Sequence, residues 1–352
     1  MWCFLYAFHI LKAPFRSKYF LKIITLIMIK TKKIDYLQLL YIIFILFIIS
    51  LLLLLPKDSI SSFYDGVTIW ATKVLPTLLP FFILTKILSS TKLIPFIEKK
   101  ISLVTKKFYG VGGVAGYIYI MSIISGYPVG AKLTSDLYID GKITRNEAIS
   151  ITSFTSTSGP LFIIGSVAVG LFDNLRIGII ILLSHYIGAI LNGLLYRNKT
   201  AITSTLTKRY FPERISISNA MSSSIMAVLN IGGFIALFYM IISLLLSLNV
   251  FYPITKLLSL FGLNEKITTS IISGLIEVTT GEIMLSKLTL SPLLSTAIST
   301  FVISFGGLSI HAQAYTYLNT FDMPYHKFLL QKLTHATIAT IVAIPLSVLL
   351  WI

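Results

Sequence analysis

The chain has 352 residues, of which 55% are hydrophobic and only 12% are charged, and its formal net charge is +16. Soluble globular proteins contain about 25% charged residues, so this deficit of charge excludes an ordinary soluble enzyme and indicates an integral membrane protein. The lysines and arginines lie between apolar stretches, which is typical of charges that orient membrane segments, and nucleic acid is not expected as a partner. The single cysteine, Cys3, excludes a disulfide framework and a cysteine-rich metal site.

Residues 1–35 form a basic N-terminal segment that precedes the first long apolar stretch. The run from Phe20 to Ile29 is too short to span a bilayer. No small-residue cleavage site follows the apolar run that ends at Leu55, so a cleaved signal peptide is not expected. Met28 is followed by a sequence typical of a protein start, and one hypothesis is that residues 1–27 are a mis-assigned extension.

The apolar stretches predict an all-α polytopic membrane protein with about eight membrane segments, some of them broken or re-entrant. Breaks are expected where glycine and proline interrupt the apolar run, near Gly159 and Gly306. In chain order the apolar stretches cover 36–58 (the first transmembrane helix), 66–88, 111–131, 148–172, 175–196, 220–248, 267–288, 292–318 and 326–352 (the C-terminal transmembrane helix).

Shorter elements are predicted between these stretches. An amphipathic surface helix is expected over 93–107, and a short apolar element over 251–261. Residues 132–147 are predicted to form a polar loop, with Thr144 as the N-cap of the following helix and Glu147 at the third position of a capping box.

The basic segments predict the orientation of the chain in the cell membrane. The N-terminus, residues 86–107 and residues 197–214 hold most of the lysines and arginines, and all three are therefore expected to be cytoplasmic. An even number of crossings must then lie between 107 and 197, where three apolar segments occur. We expect the Gly/Pro-rich segment 111–131 to re-enter without crossing, because broken backbone at membrane depth survives only when it is buried in protein or lines water.

An internal repeat is predicted because landmarks of the first half recur 148 residues later. The units are expected over 59–215 and 216–325, in inverted orientation, and a binding site is expected at their interface. The recurring pairs are Ser125 with Ser273, Gly126 with Gly274, Ser156 with Ser304, and Gly159 with Gly307.

Candidate ligand-binding residues lie at the predicted breaks, where backbone amide and carbonyl groups are freed to face a solute. An acidic residue inside an apolar segment is costly, so a functional role is favoured for Glu277, whereas Glu282, near the end of its segment, is expected to reach the lipid headgroups. The candidates are Ser125, Gly126, Tyr127, Pro128, Gly130, Ser153, Ser156, Ser158, Gly159, Glu277, Thr279, Ser304, Gly306, Gly307, His311 and Gln313.

Alternatives to ligand binding stay open at several of these positions. The hydroxyl-rich stretch 152–160 could serve helix packing as well as a ligand. His311 could titrate near neutral pH or be a neutral residue bonded between helices. His185 and His335 have no partners nearby in sequence and are expected to serve packing. The sequence contains no nucleotide-binding loop, zinc spacing or catalytic triad that predicts an enzyme, a cofactor or a metal.

Several of these motifs, taken together, resemble the YlbJ-type sporulation integral membrane proteins, in order and spacing, over roughly 36–352. The motifs are Ser125–Lys132, Ile143–Ala148, Ser153–Phe154, Gly159–Gly165, Gly232–Phe234, Ser273–Thr279 and Ser304–Gln313. Residues 1–27 fall outside the resemblance. Members of the family often have asparagines in the stretch 153–158, where this chain has serine and threonine, which puts in doubt any ligand bond that needs a side-chain amide there.

The resemblance implies a polytopic membrane protein of endospore-forming bacteria that is needed for normal spore cortex or coat maturation. It also implies a Gate, or nucleoside recognition, domain of the kind found in concentrative nucleoside transporters and ferrous-iron transporters. The leading hypothesis is therefore a transporter-like protein that binds a small polar solute or ion between two inverted repeats. The alternative is a membrane scaffold that recruits proteins of spore-envelope assembly, with the basic loop 197–219 as its only docking surface.

Overall fold

The computed structural model describes residues 36–89, 91, 100–200, 216–260, 262 and 264–351. The basic N-terminal segment, the first part of the predicted surface helix and most of the basic loop after 197 lie outside the described residues. Within the described ranges every regular element is helical, and no strand occurs. The predicted all-α class is therefore confirmed.

The first half begins with two helices that meet at a sharp bend. The helix α1 ends at Leu54, and a second helical run starts at Pro56, which occupies the first helical turn, where a missing N–H is tolerated. The helices are α1 (Tyr36–Leu54), α2 (Pro56–Ile69), which a π-helical turn (Trp70–Val74) joins to α3 (Leu75–Ser89), α4 (Lys100–Tyr109), α5 (Val114–Ser125), α6 (Val129–Ile139), α7 (Arg145–Thr155), the π-helical α8 (Phe162–Val169) and α9 (Leu175–Leu195).

The second half shows the same succession of long, short and broken helices. The helices are α10 (Ile217–Ser247), α11 (Tyr252–Ser259), α12 (Glu265–Ile276), α13 (Val278–Ser286), α14 (Pro292–Phe305), α15 (Gly307–Leu318) and α16 (Tyr325–Trp351). The predicted breaks near Gly159 and Gly306 are confirmed, since α7 and α8 are separate helices and so are α14 and α15.

Four helical stretches of the described chain are long and apolar enough to cross a membrane, namely α9, α10, α14 with α15 (Pro292–Phe321), and α16. Two sharply bent pairs raise the number to six if each pair is one span. Ile42–Leu54 meets Pro56–Val74 at 105°, and Lys100–Tyr109 meets Val114–Ser125 at 103°. The chain is thus a multi-helix integral membrane protein, and any span beyond these six stays a prediction.

Side-chain caps fix where several helices begin. The Thr144 hydroxyl accepts a hydrogen bond from the Glu147 N–H at 3.3 Å, and the Glu147 carboxylate accepts one from the Thr144 N–H at 2.9 Å. This confirms the predicted capping box. Asn174 caps α9 and Asn264 caps α12 in the same way, each through a side-chain oxygen that accepts from backbone N–H groups of the first turn.

Helix packing relies on small residues. A Cβ placed on Gly188 of α9 would lie 2.7 Å from the Cβ of Ala339 on α16, so these two long helices approach closely at this position. Such contacts between small residues are a usual basis of helix association in membranes, where lipid is as apolar as the side chains. Large apolar residues remain on the outside: Leu53, Ile60 and Leu349 are 74%, 71% and 72% exposed, as expected for surfaces that face lipid.

Two boundaries differ from the sequence-based prediction. The stretch 132–147 is not a loop throughout, because α6 continues to Ile139. The stretch was predicted as a loop because of its polar composition. Its small and apolar residues nevertheless recur at helical spacing, and Gly130, Ala131, Thr134 and Leu137 are buried. The second membrane helix begins at Pro56 rather than at residue 66; Gly66 lies within the helix, against the backbone of Ala236 on α10.

Candidate functional site

Four helix breaks form the centre of the molecule. The first, between α5 and α6, contains Gly126 and Pro128; the second, between α7 and α8, covers 156–161. The third is Glu277, a single extended residue between α12 and α13, with φ −143° and ψ 118°. The fourth is Gly306, between α14 and α15, whose φ of +88° favours glycine.

The breaks contact one another. A Cβ placed on Gly126 would lie 2.6 Å from the backbone nitrogen of Gly159, so the first break packs against the second. A Cβ on Gly307 would lie 3.1 Å from the carbonyl oxygen of Gly274, near the end of α12, and 3.3 Å from that of Ile276, which precedes the third break. A Cβ on Gly306 would lie 3.4 Å from the Tyr127 hydroxyl, which joins the fourth break to the first.

A cavity of about 90 Å³, counted as the space open to the centres of water molecules, lies where three of these breaks meet. A single water needs about 10–15 Å³ by this measure, so the cavity has room for several waters or a small solute. One wall comes from apolar side chains of α3 and α10, including Leu78, Phe82 and Ile235. The other wall contains eight of the predicted site residues: Ser125, Gly126, Tyr127, Ser158, Gly159, Glu277, Thr279 and Gln313.

Glu277 lies in this wall and caps α13. Its Oε1 accepts from the Thr279 N–H at 3.0 Å, and its Oε2 accepts from the Thr280 N–H at 2.6 Å and the Thr280 hydroxyl at 2.9 Å. The carboxylate thus satisfies backbone donors that the first turn of a helix leaves free. Only 4% of the residue is exposed, and a carboxylate oxygen has more than one acceptor site, so Oε1 can accept a bond from a bound solute as well.

Lys332 of α16 contacts residues of the first and second breaks. Its amino nitrogen donates to the Ser156 carbonyl at 2.9 Å and to the Tyr127 hydroxyl, and it lies 4.6 Å from the centre of the Tyr127 ring. The residue is 2% exposed, and no carboxylate lies within 4 Å of it in the described chain. The buried amino group is therefore held by a carbonyl, a hydroxyl and an aromatic face.

His185 of α9 connects the second break with the helix that leads to the fourth. The Ser158 N–H donates to its Nε2 at 2.9 Å, so the ring hydrogen is on Nδ1, which contacts the Ser304 hydroxyl at 2.8 Å. His335 of α16 donates from Nε2 to the His185 carbonyl at 2.9 Å. Both histidines are at most 1% exposed, and they hold the broken helices in place.

The other predicted site residues lie beside the cavity rather than in its wall. The His311 ring bridges helices, with Nε2 2.9 Å from the Phe305 carbonyl oxygen and Nδ1 3.2 Å from the Tyr325 hydroxyl. The Ser153 hydroxyl donates to the Ser150 carbonyl at 2.6 Å. The remaining ones are Pro128, Gly130, Ser156, Ser304, Gly306 and Gly307, all within or next to the four breaks.

Glu282 does not reach the headgroups, and that prediction was wrong. The residue is 0% exposed, and its Oε2 accepts from the Ser299 hydroxyl at 2.7 Å. Its position near the end of an apolar stretch suggested the membrane surface. However, α13 packs between α12 and α14, and this tertiary arrangement encloses the side chain.

Lys332 and Asn192 were missed by sequence reasoning. The Asn192 amide donates to the Ser153 carbonyl at 2.8 Å and to the Gln331 carbonyl at 3.1 Å. A signal for both existed, because each is a strongly polar side chain within a stretch that otherwise reads as a membrane span, where such residues are costly.

Comparison with known proteins gives two matches. The family model Gate, described as nucleoside recognition, matches residues 71–174, which include the first two helix breaks. The chain is 32% identical over 313 residues to the "Sporulation integral membrane protein YlbJ" of Bacillus subtilis (strain 168), a match that covers 81% of this chain and 77% of that protein. No solved structure matches the chain.

Proposed function

Because the chain belongs to the YlbJ family of sporulation integral membrane proteins, we propose that it is a transporter-like protein that binds a small polar solute in the central cavity during formation of the spore envelope. The convergence of the helix breaks on one cavity is the observation that supports this proposal most. Broken helices expose backbone groups at membrane depth, and such breaks are typical of solute sites in transporters.

The order of helices supports an inverted internal repeat. Each half has a long helix, a short helix, two broken pairs and a final long helix. The helices that start at Val129, Arg145 and Leu175 have counterparts that start 149, 147 and 150 residues later, at Val278, Pro292 and Tyr325. We therefore extend the second repeat, predicted over 216–325, to include α16 as the counterpart of α9.

The position of the cavity fits such a repeat. Its apolar wall combines α3 of the first half with α10 of the second, and its polar wall combines breaks of both halves. A site at the interface of two units can open to either side of the membrane when one unit moves against the other. The basic segments predict a cytoplasmic N-terminus, and an odd number of crossings by the first unit would invert the second unit relative to it.

Thermal stabilisation of the detergent-purified protein tests the proposal. The screen covers nucleosides, amino acids, sugars and organic acids. A ligand that binds only the folded state raises the unfolding temperature, because at 100 times its Kd it adds about 2.7 kcal/mol to the stability of the folded state. We expect at least one compound class to stabilise the protein in a concentration-dependent way.

Two variants of cavity residues show whether the compound occupies this cavity. Gln313→Met removes an amide from the wall at similar volume, and Glu277→Gln removes the charge; we expect both to weaken the stabilisation. Thr316→Val, on the outer side of the same helix α15, is the matched control and should leave it unchanged. Stabilisation that persists in both cavity variants would refute the proposed site. Loss of sporulation on scrambling the basic loop, with normal sporulation of the cavity variants, would favour the scaffold.

A further inference from the structure

Three glutamates of the described chain are almost fully enclosed: Glu147, Glu277 and Glu282 are 0%, 4% and 0% exposed. The first two cap helices and accept backbone N–H bonds at both carboxylate oxygens. For Glu147 these donors are the N–H groups of Gly112, at 3.3 Å, and Thr144, at 2.9 Å. Because every oxygen accepts from a backbone donor, both side chains have a structural role at the start of a helix.

Glu282 differs from both. Its Oε2 has a single donor, the Ser299 hydroxyl, and its Oε1 is buried without a hydrogen-bond partner among the described residues. No lysine, arginine or histidine of the described chain lies within 4 Å of the carboxyl. The titratable group that acts on it electrostatically is Glu277, a second carboxyl. The described part of the chain therefore supplies no positive charge beside Glu282.

The helices that enclose Glu282 pack closely beside it, and the residue is 0% exposed. Gly281, the preceding residue, lies against Gly274 of α12 so closely that any Cβ on Gly281 would collide with the Gly274 backbone. A Cβ on Gly274 would in turn lie 2.6 Å from Val302 of α14. The three helices therefore form a tight layer, and Glu282 is held inside it with Ser299.

An ionised carboxylate in such a place is strongly unfavourable, because its lost hydration is replaced by one hydroxyl bond and no positive charge. A neutral carboxylic acid avoids this cost, and its second oxygen has space for the proton. We propose that Glu282 is a proton-binding site of the α12–α13 hairpin, which holds a proton in the closed arrangement and releases it when the hairpin separates from α14.

The location of Glu282 connects this proton to the cavity. The helix α13, which bears Glu282, is capped by Glu277 in the cavity wall. The helix α14, which bears Ser299, ends at the break at Gly306. Movement at either break shifts one partner of the Glu282–Ser299 bond against the other. This coupling of a proton to solute movement rests on the proposed function, whereas proton binding by Glu282 does not.

Infrared spectroscopy of the purified full-length protein tests the proton directly. A protonated carboxylic acid has a C=O stretch that a carboxylate lacks. We expect a carboxylic acid band in the wild type at neutral pH that is absent from Glu282→Gln and retained in Glu147→Gln, the matched buried control. Ser299→Ala leaves the carboxyl in place, removes its hydrogen bond and should shift the same band to higher frequency.

Two kinds of result would overturn the proposal: evidence that Glu282 is ionised, and evidence that it binds a metal cation. An unchanged carboxylic acid band in Glu282→Gln would mean that Glu282 is ionised in the folded protein. If Glu282→Gln does not fold, an unshifted band in Ser299→Ala would lead to the same conclusion. Loss of the wild-type band on addition of sodium chloride, with potassium chloride as control, would assign the site to a metal cation instead. Neither result depends on solute binding, so the proposed function is tested separately by the stabilisation screen.

Discussion

Gly126→Ala is expected to separate the first two helix breaks. The residue has φ +70° and ψ −165°, a region almost confined to glycine that costs another residue about 1–3 kcal/mol. In addition, the new Cβ would lie 2.6 Å from the Gly159 nitrogen and 3.1 Å from its Cα, so backbone must move. Overpacking of this kind costs about 1–3 kcal/mol. The total loss is about 2–6 kcal/mol, and the displaced backbone belongs to the cavity wall.

The chain provides controls that separate the two contributions. Gly141 also has a positive φ, +66°, but its Cβ would meet nothing within 4 Å, so Gly141→Ala should lose only the cost of a positive φ, about 1–2 kcal/mol. Gly159→Ala adds a Cβ at an ordinary 3.5 Å from the Gly126 nitrogen and should be tolerated. Unfolding free energies of the three purified variants, measured under identical detergent conditions, give the comparison. Equal losses for Gly126→Ala and Gly141→Ala would refute the contact between the breaks.

Three further substitutions test the surrounding structure. Thr144→Ala removes the cap of α7 and should cost about 1 kcal/mol of unfolding free energy, whereas Thr144→Ser should cost much less; equal losses would contradict a capping role. His185→Phe leaves the buried Ser158 N–H without an acceptor and should destabilise by about 1–3 kcal/mol, with a lower unfolding temperature as the measurement. Gly188→Ala should destabilise by about 1–3 kcal/mol through its contact with Ala339, and Ala339→Gly in the same chain should restore stability; failure of this rescue would place the helices further apart.

The breaks were predictable because local chemistry favours them. Gly306 has a positive φ and Pro128 lacks a backbone donor, and both features favour a helix break. They do not suffice alone, because Pro80 and Pro345 lie inside the helices α3 and α16. The capping box at Thr144 is equally local, because its two partners are three residues apart. Amino-acid sequence alone is therefore enough to identify the segments that form the polar wall of the cavity.

The parts that sequence did not predict depend on tertiary contacts. Glu282 and Lys332 are each surrounded by residues from helices distant in sequence, such as Ser299 and Ser156, and no local pattern specifies which side chains enclose them. The helix α6 was missed for a different reason: its exposed polar residues outweighed the helical spacing of the buried ones. Burial cannot be read from composition when a polar helix packs against only part of its circumference.

The cavity is lined by two kinds of chain segment, continuous helices and helix breaks, and this has a consequence for how relatives diversify. The apolar wall consists of side chains on the uninterrupted helices α3 and α10, such as Phe82 and Ile235, whereas the opposite wall consists largely of chain ends at helix breaks. Exchanging an apolar side chain alters the size and shape of the space without disturbing any hydrogen bond. Under the proposed function, exchange of these apolar side chains would change which solute fits and leave the polar groups at the breaks in place.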